Sequence, residues 1–195
     1  MIDRKWALEF LNQKIENKNI IKHMIACEVL MEEVYEVLVA KGKKDLGGTK
    51  EEWMIAGLLH DGDYCPEVPP EKQGVQITEW LRQQGFKIPE NVAQAMAAHN
   101  WRNTGVEPKT KMDWALFCGD SLTGLIVAAT LVLPTKKLAD LTVQNVLNRF
   151  KEKSFARGTR REDILKCEEK LGLKLEEFIE ICLKAMQKIR SQLGL

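Results

Sequence analysis

The chain is poor in the residues that usually mark a metal or redox protein. It has three histidines in 195 residues, and its five cysteines (Cys27, Cys65, Cys118, Cys167, Cys182) are scattered and never fall in a CxxC pair. An odd, dispersed cysteine set argues against a disulfide framework and against a thiolate zinc site, and it fits a reducing compartment. Net charge is nearly absent as well, at +1. Composition therefore gives no support for binding a nucleic-acid polymer or a membrane surface. Long hydrophobic runs are missing: the longest, Leu122 to Leu133, is too short to span a bilayer and ends at Pro134. The opening Met-Ile-Asp-Arg-Lys-Trp shows no apolar region of signal-peptide type, so the expected location is the cytoplasm. Sustained strand alternation, glycine-rich phosphate loops, internal repeats and low-complexity tracts are likewise not found.

What is present is helical periodicity. From Ile20 to Ala40, the residues His23, Cys27, Leu30, Met31, Val34 and Leu38 share one face. A helix from Thr49 to Asp61 is expected next, with Thr49 and Glu52 spaced as a capping box, Trp53, Ala56 and His60 on its stripe, and Gly62 as its stop. The proline-bearing stretch from Gly62 to Pro70 reads as a loop at the rim of a site. Further helices are expected over 71–84, 89–99 (with Pro89 in the first turn), 111–132, 142–152, 159–171 and 174–193. The expected fold is all-α, a single compact helical bundle over 1–195. Its site-bearing core spans 20–132, with C-terminal helices over 140–195 packed on it.

The three histidines sit on these apolar stripes, as Lys-His23-Met, Leu-His60-Asp61-Gly and Ala-His99-Asn. Asp120 lies on another, among Phe117, Gly124 and Val127, with no arginine or lysine within a turn. One histidine on an apolar face is ordinarily a satisfied core residue. Three of them with two carboxylates are explained together by one divalent metal, because buried carboxylates need a cation or hydrogen bonds to offset their desolvation.

The same residues resemble the signature of the HD-domain superfamily of metal-dependent phosphohydrolases, in particular its small stand-alone HDIG-type members. Ala-Gly-Leu-Leu-His-Asp-Gly-Asp-Tyr, Ala-His-Asn, Asp-Ser-Leu-Thr-Gly-Leu-Ile-Val-Ala-Ala-Thr and Lys-Ser-Phe-Ala-Arg-Gly all carry the likeness, which runs over nearly the whole chain. The resemblance implies one divalent metal (Mn, Fe, Co, Ni, Zn or Mg) on His23, His60, Asp61 and Asp120. His99 matches a further histidine of members that bind a second metal, but the companion histidine of those members is replaced here by Gln73. A second metal at His99 stays open beside a role for His99 near the substrate. The position after His-Asp also departs from the family, with Gly62 first and then Asp63.

What this implies is hydrolysis of a phosphoester, a nucleotide or small phosphomonoester, by metal-activated water. Asp61 would orient the water, Asp63 would stand near it, and His99 would donate a proton to the phosphate or leaving group. Expected phosphate clamps are Lys153, Arg157 and Arg102, chosen from a set that includes Lys22, Lys136, Lys137, Arg160 and Arg161, and Trp101 is a candidate for stacking a base. A catalytically weak module that binds a phosphorylated ligand, a di-iron redox enzyme and a purely structural metal are the competing readings. A homodimer through the C-terminal helix faces stays open.

Overall fold

The computed structural model describes residues 2–195, and every regular element among them is helical. In chain order the helices are α1 (Arg4–Lys14), α2 (Lys18–Ala40), α3 (Lys50–Leu59), α4 (Gln76–Gln83), α5 (Glu90–His99), α6 (Trp101–Thr104), α7 (Lys111–Leu131), α8 (Val143–Lys151), α9 (Arg161–Leu171), α10 (Leu175–Lys188) and α11 (Arg190–Leu193). Short 3-10 turns stand at Pro70–Lys72 and Leu138–Asp140.

Local chemistry sets the ends of these helices. The Thr49 hydroxyl accepts from Glu52 N at 3.3 Å while a Glu52 carboxylate oxygen accepts from Thr49 N at 2.8 Å, so the expected capping box opens α3. Thr110 and Asp113 open α7 in the same way. The helix expected over 71–84 begins only at Gln76, because Pro69 and Pro70 hold a 3-10 turn and Gly74 takes φ +88°. Pro89 sits outside α5 as its cap rather than within its first turn. The stretch expected over 174–193 is broken at Ile189 into α10 and α11.

α2 and α7 form the centre. α3 packs along α2, α5 packs on α7, and α10 covers both central helices while α8 and α9 pack on α7. α7 is the one helix among the described residues that is long and apolar enough to cross a membrane; 61% of its apolar window is buried inside the bundle. Fully buried Trp53, Met24, Leu30, Leu116 and Phe178 fill the spaces between these helices. Each contributes about 1.5–3 kcal/mol by leaving water. α2 and α3 approach closely at Gly57 of α3, where an added Cβ would meet Cys27 O of α2 at 2.7 Å. That glycine lets α3, which ends at His60, approach α2, which carries His23.

Candidate metal centre

Four elements each deliver one part of the site. α2 carries His23 at its second turn, the C-terminal end of α3 carries His60 and Asp61, α5 ends on His99, and Asp120 lies midway along α7. The side chains converge. His23 Nε2 is 3.0 Å from Asp120 Oδ1, 3.2 Å from His60 Nε2 and 3.7 Å from Asp61 Oδ2. His60 Nε2 is 3.5 Å from Asp61 Oδ2 and 4.0 Å from Asp120 Oδ1. His99 Nε2 approaches the other Asp61 oxygen at 3.2 Å.

The outer ring nitrogens show how the rings are aimed. His60 Nδ1 is 2.9 Å from Gly57 O, and His99 Nδ1 bonds Met96 O. A carbonyl only accepts, so both Nδ1 atoms carry protons. The Thr123 hydroxyl donates to Asp120 O at 2.9 Å and therefore accepts from His23 Nδ1 at 3.0 Å. Each ring is thus held by its Nδ1 and turns Nε2 inward, the arrangement that orients histidine ligands in metal sites. Two Nε2 atoms 3.2 Å apart beside two carboxylates repel each other unless a cation or a proton lies between them. The donors fall into two overlapping groups that could hold a divalent ion, His23 with Cys27, His60 and Asp120, and His60 with Asp61 and His99.

Electrostatics agree. Burial pushes His60 down to about 4, so that ring is neutral at pH 7. Against the pull of burial, Cys27 and Asp120 lift His23 well above the ordinary imidazole range, and Asp61 lifts His99. Burial would raise both carboxylates, but His60 and His99 hold Asp61 far below the usual range, and His23 lowers Asp120. The cluster is a sink for positive charge.

His60 and His99 are buried, whereas the side chains of His23, Asp61 and Asp120 are 23%, 18% and 30% exposed. They face a cavity of about 750 Å³. Its other walls are Tyr64, Gln73, Asn100, Asn103, Phe117 and Ser121, together with the segment from Ala156 to Arg160. No protein-family model, curated protein or solved structure matches this chain. Its chemistry has to come from the site itself.

Several expected residues are placed elsewhere. Asp63, expected near the water, is fully buried; its carboxylate accepts from Gly74 N at 2.8 and 2.9 Å and from Ile77 N at 2.8 Å, which ties down the turn that enters α4. Arg102, expected as a phosphate clamp, forms a two-pronged ion pair with buried Asp163. Lys153 is exposed and lies off the cavity lining; Arg157 lines it. Trp101 packs edge-on against Trp114 at 6.3 Å and behind the cavity-wall residue Phe117, and does not itself line the cavity. Gln73 does line the cavity, with its side-chain amide donating to Val68 O at 3.3 Å.

Two participants were not singled out from sequence. Thr123, three residues after Asp120, steers His23, and its i+3 spacing on α7 was the available signal. Cys27, one turn from His23, brings a sulfur within 4.8 Å of the His23, His60 and Asp120 donors, and burial keeps it a thiol by raising its pKa.

Proposed function

We propose that the protein is a metal-dependent phosphohydrolase of the HD-domain type. The observation that carries this is the inward aim of the histidine Nε2 atoms onto Asp61 and Asp120 at the floor of an open cavity. The order His23, His60-Asp61, Asp120 along an all-helical chain supports the family reading. His23, His60, Asp61 and Asp120 would hold one divalent ion. When bound, such an ion acidifies water and draws charge from phosphoryl oxygens.

The chain's own residues supply the rest. Asp61 directs one oxygen towards His23 and His60 and the other to His99, so it can orient a water while it is itself held in place. His99, whose imidazole Asp61 lifts above its ordinary range against the pull of burial, stands at the cavity wall and can donate a proton to the leaving oxygen. Water adds to phosphorus, the ester P–O bond breaks, and alcohol and inorganic phosphate leave. All five cysteines are free thiols, which supports a cytoplasmic location.

The test is a screen of nucleotides and small phosphomonoesters with added manganese, cobalt, nickel or magnesium, with Asp61→Ala as control. The expected result is metal-dependent release of phosphate that falls by at least a hundredfold in Asp61→Ala. Turnover that survives the substitution overturns the mechanism. Metal-dependent binding with no turnover makes the protein a binding module instead.

A further inference from the structure

Six of the eight arginines are engaged by protein oxygens. Arg4 pairs with Glu28, Arg82 with Glu90, Arg102 with Asp163 and Arg149 with Glu152, while Arg190 donates to Gln187 O. Arg161 is wrapped most completely, donating to Phe150 O at 2.6 Å, Phe155 O at 2.7 Å, Glu152 O at 2.9 Å and Arg149 O at 3.2 Å. Arg157 and Arg160 have no hydrogen-bond or ion-pair partner among the described residues. Both line the cavity that contains His23, Asp61 and Asp120.

Their backbone is held. Arg161 gathers the carbonyls of the segment that precedes it, Thr159 N donates to Ala156 O at 2.8 Å, and Ala156 takes φ +44° to close the turn. A fixed turn therefore places two arginines that have no partner among the described residues on the lining of the same cavity as the candidate metal centre. Guanidinium is the side chain best suited to phosphate-type anions, through paired N–H donors in a planar fork. Asp163, the one carboxylate on the cavity lining beyond the metal centre, is already neutralised by Arg102. Amide and hydroxyl groups of Asn100, Asn103, Ser121 and Thr159 complete the wall, so the space is polar as well as two-ended.

We infer that the cavity takes a small polar molecule with two phosphate-type anions, one placed at the metal centre and the other on Arg157 and Arg160. This rests on the metal-centre reading above and adds the second anion. It predicts a dependence on the spacing between the two charges.

The probes are alkylene bisphosphonates with one to five carbons between the phosphorus atoms, and the matching monophosphonates. Calorimetric titration into metal-loaded protein reads affinity, and metal content is measured on the same samples. The expected result is one spacer length that binds at least tenfold tighter than its monophosphonate. In R157Q/R160Q that advantage is lost, while metal content and monophosphonate affinity stay within twofold of wild type. Both arginines are exposed and unpaired, so the double variant keeps the fold, which circular dichroism checks. Metal uptake with no preference for any bisphosphonate, or a preference that survives R157Q/R160Q, overturns the second-anion subsite and leaves the metal centre standing. Absence of metal uptake overturns the metal reading and the two-ended occupant with it.

Discussion

Thr123 decides which nitrogen His23 offers. Its hydroxyl is committed to Asp120 O and can only accept from the imidazole, so His23 Nε2 is left for the cluster. Thr123→Val removes that acceptor at nearly constant volume. Metal affinity should then fall about 10–100-fold, the usual effect of losing a partner behind a histidine ligand; competition with a chelating dye measures it, and unchanged affinity contradicts the assignment. Asp63 makes the opposite case. Asp63→Ala leaves Gly74 N and Ile77 N unpaired in a buried turn, at a cost of about 2–4 kcal/mol. Metal content should not change. Burial, resisted by those two N–H groups, pushes the Asp63 carboxyl up to about 6, above its unfolded value of about 4. Between those values the folded state holds more protons than the unfolded one, so this group's contribution to stability falls as pH rises. Urea unfolding should therefore show the gap between wild type and Asp63→Ala narrowing from pH 4 to pH 6 and level above it. The convergence of His23, His60, His99 and Asp120 was legible because each stands on a clear apolar stripe, and Asp61 followed as the neighbour of His60. The role of Asp63 was not, because its donors come from residues 11 and 14 positions away. The Arg102–Asp163 pair spans 61 positions and was out of reach for the same reason.

At the scale of elements, the site depends on how closely α2 and α3 approach. Gly57→Ala would place a Cβ 2.7 Å from Cys27 O and 3.0 Å from Glu28 Cα, both backbone atoms that cannot turn aside. The helices must part, and with them His23 and His60. A loss of about 1–3 kcal/mol is expected from overpacking. Metal affinity should fall as well, which urea unfolding and metal titration read on one sample; a variant of wild-type stability contradicts the close-approach account. Most helices follow from periodicity and caps. α1 lies outside the expected set although its pattern is visible: Asp3 caps it and Ala7, Phe10 and Leu11 are its buried face. The break at Ile189 has no proline or glycine to announce it, since the residues on both sides keep a helical pattern.

Across the whole molecule, near-zero net charge conceals a sharp local separation. Asp61 and Asp120 meet His23 and His99 at the cavity over fully buried His60, and Arg157 and Arg160, with no partner among the described residues, stand on its wall. The donors come from the first two thirds of the chain, as expected. The C-terminal part does more than pack against that core, because residues 156–160 and Asp163 close the cavity from the other side. The central claim is that His23, His60, Asp61 and Asp120 form a site for one divalent ion. Titration of metal-free protein with cobalt, followed by its visible absorption, tests it most directly. One equivalent per chain should bind saturably, binding should be lost in His60→Ala and in Asp120→Ala, and Asp63→Ala should bind like wild type. No saturable uptake, or uptake indifferent to Asp120→Ala, would contradict it.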